Sequence, residues 1–476
     1  MQKLPSIYLS LVPLVFLVAL IALVVTAFGS DALGGASQVA LILASALCVG
    51  LGMVFGDTTF EDFERAATEK ITSVSSAIII LLLIGAIGGV WMVSGVVPTM
   101  IYYGLQVLNP HVFLVTSCVV CAVVSVMTGS SWTTVATIGV ALMGIGEALG
   151  FNVGCVAGAI ISGAYFGDKV SPLSDTTIMA SSTAGTPLFE HIRYMMYTTV
   201  PSFVITLAIF VILGFTLTGE GSGDVERVCS VLGDTFVISP WLLLVPVLTG
   251  VMIARRLPSI IILFIAVILA CVAAMVAQRH LLYEVAGEVS VEGLFKGVMM
   301  SIYDSTSIDT GVDSLNSLVA TRGMSGMMST IWLIVCAMIF GGAMTATRML
   351  DTIVRSIRRL AQNTFSIVGC TAFTGTLLNL TAADQYLSII LTTSMYKDIY
   401  RKHGYEPRLL SRTCEDSATV TSVLIPWNTC GMTQSSVLGV SVLAFAPYCF
   451  FNIISPLMTL LVALLGWKIK VSKQKC

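Results

Sequence analysis

Two carboxylates flank a proline in the segment GAYFGDKVSPLSDTTIMASSTAG, residues 163–185. Pro172 disfavours helix in the residue before it, so we expect the chain to unwind from Ser171 onward. Unwound carbonyls and the carboxylates of Asp168 and Asp175 offer hard oxygen ligands, which Na⁺ favours as other hard cations do. Both acids are therefore candidate Na⁺ ligands, and the neutral oxygens beside them belong to Ser171, Ser174, Thr176 and Thr177. In the alternative interpretation, Asp168 only pairs with the lysine that follows it.

A cluster of hydroxyls surrounds the glycine of MTGSSWTTVATIG, residues 127–139. Thr128, Ser130 and Ser131 lie beside a predicted helix break, where they can offer neutral oxygens to a partly dehydrated cation. Ser and Thr also cap and join membrane helices, and that structural role is the alternative interpretation of this segment.

Two later segments repeat the mixture of acids, amides and hydroxyls: NLTAADQYL, residues 379–387, and SRTCEDSATVTSVLIPWNTCG, residues 411–431. Their polar side chains include Asp384, Gln385, Glu415, Asp416, Thr419, Asn428 and Thr429. Asn428 beside Pro426 resembles the serine–aspartate pair that follows the first proline. Alternatively, Arg412 neutralises one of the two adjacent acids in the second segment.

Buried carboxylates suit an ion exchanger. Burial raises the pKa of a carboxyl group and a nearby cation lowers it again, so a proton and Na⁺ compete for the same oxygens. If the binding site crosses the membrane only when it holds either Na⁺ or a proton, one ion is exchanged for the other. Because a charged side chain within a membrane is costly, such an acid is a functional candidate by default.

The composition places these residues in a membrane. Of 476 residues, 56% are hydrophobic and only 11% are charged, against about 25% charged residues in soluble domains. The net charge of −2 provides no basic surface for nucleic acid, and the 12 cysteines lack metal-ligand spacing. The sequence therefore excludes a soluble enzyme, a nucleic-acid binder and a disulfide scaffold. No cofactor is expected beyond the transported ions.

Apolar runs of about 20 residues recur without period-two alternation, which predicts membrane-spanning helices rather than a barrel. The expected fold class is an all-α polytopic membrane protein with about 10–12 transmembrane segments and broken or re-entrant helices. The clear spans are 8–28, 34–55, 74–96, 111–127, 194–216, 237–254, 257–277, 326–346, 364–380 and 447–467. The first run is too long for a cleaved signal peptide and is expected to be retained. Residues 128–190 and 381–446 are apolar but interrupted, which is tolerated at membrane depth only inside protein or along a cavity.

Charge divides the connecting segments into two groups. Acidic residues dominate 217–236 and 278–325, whereas basic residues cluster at 255–256, at 347–363 and in the C-terminal tail. The positive-inside rule places the basic group, and with it the C-terminus, in the cytoplasm.

The chain resembles itself at a shift of 253 residues, for example where Gly88 and Gly89 fall on Gly341 and Gly342. The charge pattern orients the two copies oppositely, and such inverted repeats place a transporter's site near mid-membrane. The expected divisions are N-terminal scaffold helices at 1–56, a first repeat at 57–236, linking helices and an external loop at 237–325, and a second repeat at 326–476. Two hydrophobic helices that are similar by chance are the alternative.

Three features are expected at the membrane interface. Residues 284–302 and 351–360 have the pattern of amphipathic helices lying along the membrane surface. His191, between Glu190 and Arg193, is expected in an interfacial cluster, with pH sensing as the alternative.

The motifs GAYFGDKVSPLSDTT, EDSATVTSVLIPWNTCG and APYCFFNIISPLM are similar to those of the NhaC family of sodium/proton antiporters. This resemblance covers roughly residues 8–467. It implies an inner-membrane secondary transporter with two inverted repeats, a moving transport domain and a static scaffold. It also makes candidate ion or proton ligands of Asp168, Asp175, Asp384, Glu415, Asp416 and Asn428, and implies a possible homodimer. Glu147 departs from the family pattern, in which an uncharged residue is expected.

We therefore expect a Na⁺ (or Li⁺)/H⁺ antiporter that works by alternating access, with Na⁺ at Asp168 and Asp175. The polar residues of 381–446 would line the same cavity from the other repeat. Because the family includes malate/lactate exchangers, a Na⁺- or H⁺-coupled exchanger of small organic anions is the alternative, with helix N-termini holding the substrate. An intramembrane enzyme or receptor is disfavoured because no nucleophile–base pair is present. The expected location is the bacterial cytoplasmic membrane, crossed several times, with lipid and the transported ion or acid as partners.

Overall fold

A computed structural model describes residues 5–28, 35–217, 225–255, 257–312, 315–316 and 319–469. Helices of the first half are α1 (Ile7–Phe28), α2 (Ala36–Phe55), α3 (Phe60–Ser73), α4 (Ser75–Val93), α5 (Val96–Val107), α6 (Phe113–Thr128), α7 (Ser131–Thr134), α8 (Val140–Ala148), α9 (Val153–Val170), α10 (Asp175–Ala184), α11 (Leu188–Leu217) and α12 (Val225–Thr235). Those of the second half are α13 (Leu244–Ala254), α14 (Ser259–Ala277), α15 (Arg279–Ala286), α16 (Val291–Tyr303), α17 (Met328–Ala346), α18 (Met349–Arg358), α19 (Thr364–Thr381), α20 (Gln385–Lys402), α21 (Pro407–Cys414), α22 (Thr429–Leu438), α23 (Val442–Phe445) and α24 (Phe450–Leu464).

The described residues contain no β-strand beyond one isolated bridge between Thr306 and Thr321, which confirms the helical class. Seven helices among them are long and apolar enough to cross a membrane, and nine spans result if two bent pairs each count as one. These counts are lower than the 10–12 segments expected from the sequence. One reason is that some apolar helices, such as the 15-residue α24, are shorter than a full span. Parts of the predicted acidic loops 217–236 and 278–325, of the basic pair 255–256 and of the tail lie outside the described residues.

Several helix breaks interrupt the two polar regions that the sequence predicts, and four of them concern the polar residues predicted for the site. Break 1 is Gly129–Ser130, between α6 and α7; break 2 is 171–174, between α9 and α10. Break 3 is 382–384, between α19 and α20, and break 4 is 425–428, which precedes α22. Proline stands in breaks 2 and 4, as predicted, because it removes a backbone donor.

The helices of the two halves follow the same spacing. α4 and α17 begin and end 253 residues apart (75 to 328, 93 to 346), and α10 and α22 do so 254 residues apart (175 to 429, 184 to 438). Both α10 and α22 end at a glycine in the left-handed region, Gly185 and Gly439. The breaks of one half therefore have counterparts at the same places in the other.

The interfacial helix predicted at 284–302 is two helices instead. α15 ends at Gly287, which has a φ of 72°, and Ser290 caps the start of α16. α16 packs against α4, since a Cβ on Gly89 would overlap the carbonyl oxygen of Ser301. The glycine in the predicted pattern ends the first helix because only glycine adopts this conformation without strain.

The helix predicted at 351–360 is present as α18. Its buried face carries Leu350, Ile353 and Val354, while Arg355 is exposed. This separation of apolar and basic faces is typical of an amphipathic helix.

Candidate functional site

A cavity of about 540 Å³ lies where breaks 1, 2 and 3 meet. Its lining includes nine of the polar residues that the sequence singled out: Thr128, Ser130, Ser131, Asp168, Ser174, Asp175, Thr176, Asp384 and Gln385. Three carboxylates from both polar regions, separated by more than 200 positions in the chain, thus border one space. We call this space the break cavity.

The start of each helix after a break is capped by a side chain. Ser130 accepts a hydrogen bond from the amide of Thr133 at 3.2 Å, and Asp384 accepts one from the amide of Leu387 at 2.9 Å. Ser174 and Asn428 cap α10 and α22 in the same way. Aligned by these caps, Asp384 takes the place of Ser130, 254 positions earlier in the chain. Capping explains why Ser, Asp and Asn stand at these positions.

Asp168, in the last turn of α9, holds the start of α7. Its Oδ2 accepts hydrogen bonds from the backbone amide of Ser131 at 3.1 Å and from the Ser131 hydroxyl at 2.7 Å. The side chain is almost entirely buried. Breaks 1 and 2 are therefore tied together by a carboxylate that also borders the break cavity.

Asp384 has two neighbours besides its cap. The Thr429 hydroxyl donates to its Oδ2 at 3.4 Å, which links breaks 3 and 4. Lys70, at the end of α3, is 9% exposed and lies within electrostatic range of Asp384. No motif in the sequence indicates Lys70 as a site residue. Its only signal was a lysine immediately before an apolar span, which is also common at membrane boundaries.

Asp175 is the first residue of α10 and is the most exposed of the three cavity acids. Tyr386 and Trp132 also border the cavity. Among the described residues, no three His, Cys, Asp or Glu side chains gather closely enough to hold a metal ion by themselves. Hydroxyl and backbone oxygens must therefore complete any cation site built on these acids.

Four predicted residues lie beside the cavity and support its walls. Ser171 donates to the carbonyl of Val126 at 2.8 Å, and Thr177 donates to that of Lys169 at 3.0 Å. Asn428 donates to the carbonyl of Asn379 at 3.1 Å. The fourth is Thr429, which reaches Asp384 as described above. These contacts join each break to a neighbouring helix.

Glu415, Asp416 and Thr419 are buried and do not line the break cavity. The two acids belong to a fully buried charge cluster that we define as Lys169, Arg412, Glu415 and Asp416. The Thr419 carbonyl accepts a hydrogen bond from the cavity residue Gln385 at 2.9 Å. Lys169 forms an ion pair with Asp416 and donates to the Ser455 hydroxyl at 2.9 Å. The Arg412 guanidinium lies 3.8 Å from Asp416. The pairing of Asp168 with Lys169, considered from the sequence, is not observed: the two side chains bind on different sides of α9.

His191 is fully buried, whereas its neighbours Glu190 and Arg193 are exposed, so the expected interfacial cluster does not include the histidine. Neither ring nitrogen has a hydrogen-bond partner among the described residues. Glu147 is exposed and borders a second cavity of about 390 Å³, together with Arg322. Neither His191 nor Glu147 lines the break cavity.

The sequence profile of the Na⁺/H⁺ antiporter family matches residues 1–186 and 163–467. The Na⁺/H⁺ antiporter NhaC of Alkalihalophilus pseudofirmus is 37% identical over 88% of this chain and 89% of its own length. The malate-2H⁺/Na⁺-lactate antiporter of Bacillus subtilis is 34% identical over 88% of this chain and 87% of its own. The Na⁺/H⁺ antiporter NhaC of Bacillus subtilis is 31% identical over 89% of this chain and 90% of its own length.

Proposed function

The chain belongs to the Na⁺/H⁺ antiporter family, and we propose that the break cavity binds the Na⁺ that is exchanged for H⁺. It is a multi-pass membrane protein and a transporter. Exchange of Na⁺ for H⁺ is its function. The location of the ion site and the direction in which the chain crosses the membrane are the parts that we propose.

The observation that carries the proposed site is the meeting of Asp168, Asp175 and Asp384 at one cavity between helix breaks. Acids within the membrane are costly and persist where they bind a cation or a proton. The hydroxyls of Ser131 and Thr176 at the same cavity supply the neutral oxygens that replace water around Na⁺.

Helix breaks also fit the movement that exchange requires. Irregular backbone at membrane depth must be buried in protein or line a cavity, and here it lines the cavity that holds the acids. A rocking motion of one group of helices against the other would open this site to each side in turn. We place the basic segments and the C-terminus in the cytoplasm and the protein in the cytoplasmic membrane, from the positive-inside rule.

The test uses purified protein in vesicles with an imposed pH gradient and a pH-sensitive dye. Adding NaCl or LiCl, but not KCl, should dissipate the gradient. Asp175→Asn should lower the exchange rate at least about tenfold, since it removes a cavity charge and leaves the helix start in place. Asp398→Asn, at an exposed acid on α20, is the control and should behave as the wild type. Wild-type exchange by Asp175→Asn would remove that residue from the site.

A second candidate function has one observation in its favour. The break cavity of about 540 Å³ has room for far more than a cation, because a water molecule occupies only about 30 Å³. The helix N-termini at the breaks can accept a carboxylate. Exchange of a small organic acid would be shown by gradient dissipation that requires malate or lactate in addition to Na⁺. Dissipation by NaCl alone would exclude an obligatory acid.

A further inference from the structure

Two adjacent residues at the end of α9 face different surroundings. Asp168 borders the break cavity and binds Ser131. Lys169 is fully buried and binds Asp416 in the charge cluster. The last turn of α9 therefore joins the proposed Na⁺ site to a set of fully buried charges.

Glu415 is the member of this cluster that forms no ion pair with another described residue. Its side chain is fully buried, neither carboxyl oxygen has a hydrogen bond of good geometry in the described part of the chain, and the Thr419 hydroxyl is a nearby donor. A buried carboxylate with so little hydrogen bonding is costly in its charged form, whereas the protonated form is not. The cations and anions around it therefore decide whether Glu415 holds its proton.

The net charge around Glu415 depends on five ionisable groups, including Glu415 itself. Lys169 and Arg412 are positive, and Asp416 and Asp168 are negative, so these four cancel when Glu415 is neutral. Lys169 and Asp168 both lie within electrostatic range of Glu415. Na⁺ at Asp168 would add one positive charge to this balanced set. Ionisation of Glu415 would remove the excess.

We propose that Glu415 is the proton-releasing group of the exchange and gives up its proton when Na⁺ binds at Asp168. The proposal rests on the Na⁺ site proposed above and adds a separate place for the proton. Na⁺ enters from water, the Glu415 carboxylic acid becomes a carboxylate, and the proton leaves to water, so charge is conserved. Loss of Na⁺ on the other side reverses each step. The two ions then exchange without sharing oxygens.

The other titratable groups around Glu415 do not supply the missing negative charge. Asp416 already forms an ion pair with Lys169. The Tyr194 ring lies under the Arg412 guanidinium at 4.8 Å, and His191, near Lys169, can only add positive charge. Cys414 precedes Glu415 in the chain, and as a thiol it is uncharged. The hydroxyl of Thr393 contacts its sulfur at 3.2 Å.

The test measures proton release and Na⁺ binding separately. NaCl is added to purified protein in detergent and weak buffer, and acidification is followed with a pH dye. Exchange of radioactive Na⁺ for unlabelled Na⁺ is followed in vesicles without a pH gradient. Wild type should release protons, and its apparent Na⁺ affinity should rise by up to about tenfold per pH unit, as one coupled proton requires. Glu415→Gln, which mimics the protonated acid, should release none and bind Na⁺ with an affinity independent of pH.

Glu415→Gln should still exchange Na⁺ for Na⁺ at high Na⁺ concentration, because the break cavity is intact. Glu415→Asp should restore proton release, since it restores a titratable acid. Glu190→Gln, at an exposed acid, should match the wild type in every measurement.

Wild-type proton release by Glu415→Gln would overturn the proposal and return the proton to the cavity acids. Loss of Na⁺ exchange by a folded Glu415→Gln protein would also overturn it, because Glu415 would then belong to the Na⁺ site. If Asp168→Asn exchanges Na⁺ normally, the proposed Na⁺ site fails independently of Glu415.

Discussion

Asp384 combines a structural and an electrostatic role in one side chain. It caps α20 through the amide of Leu387, and its charge borders the break cavity near Lys70. Asparagine caps a helix as well as aspartate does but carries no charge. Asp384→Asn should therefore keep its thermal stability and lose exchange activity. Asp384→Ala should lose activity and also about 1 kcal/mol of stability.

Unfolding in detergent and exchange in vesicles, measured on both variants, separate the two roles. Thr59 caps α3 through its hydroxyl, far from the cavity, so Thr59→Ala is a matched loss of a cap. It should lower stability and leave exchange unchanged. Full exchange activity of Asp384→Asn would show that Asp384 only caps α20 and that its charge is not needed for exchange.

The residue type alone indicates which side chains are candidates for the site. It does not indicate which other residues they contact. The acids beside breaks 2 and 3 could be singled out from the sequence because charge is rare in apolar segments. The ion pair of Lys169 with Asp416 joins positions 247 residues apart, and no local spacing indicates it. Lys70 was missed for the same reason, since only packing of α3 brings it to Asp384.

Helices were predictable to within a few residues where the chain is continuously apolar. α4 and α14, predicted at 74–96 and 257–277, begin and end close to those bounds. Hydropathy over a span suffices there, because the membrane requires length and apolar character. It does not suffice for the π-helical turns Val135–Gly139 and Glu415–Thr419, which interrupt helices without proline or glycine clusters. Such turns frequently occur at functional sites, and one of them begins at Glu415.

The packing of α6 against α9 positions Asp168 at the cavity. A Cβ on Gly163 would overlap the carbonyl oxygen of Cys118, and one on Gly167 would overlap that of Ala122. Backbone cannot move aside as a flexible side chain can. Gly163→Ala should therefore push α9 from α6 and lower stability by roughly 1–3 kcal/mol. Exchange should fall as well, because Asp168 would move from Ser131.

Unfolding midpoints in detergent and exchange rates in vesicles check this expectation. Gly50→Ala, within α2, is the matched control, since nothing lies within 4 Å of the added Cβ. It should be neutral or slightly stabilising, because alanine favours helix over glycine. Equal behaviour of the two variants would show that the close approach of α6 and α9 is not required.

Two of the cavities in the described part of the chain lie at different levels along the same helices. The break cavity borders α4 up to Ile80, whereas the second cavity begins at Ile84, about 6 Å further along the helix axis. α7 and α8 repeat this order: the break cavity borders Ser131–Thr133, and the second cavity borders positions from Val140 to Glu147. The buried π turn Val135–Gly139 lies between these two stretches of the chain, where alternating access requires a barrier.

The two cavities should open to opposite sides of the membrane. Ser259 borders the break cavity next to the basic pair 255–256, and Ala320 borders the second cavity in the acidic loop 278–325. The positive-inside rule places the first side in the cytoplasm and the second outside. A membrane-impermeant maleimide should therefore label Ala320→Cys in intact cells and Ser259→Cys only in inverted vesicles. Wild type labelled in parallel gives the background from native cysteines. Reaction of both variants from the same side would contradict two oppositely open cavities, and a full exchange of the two patterns would reverse the orientation while keeping the cavities apart.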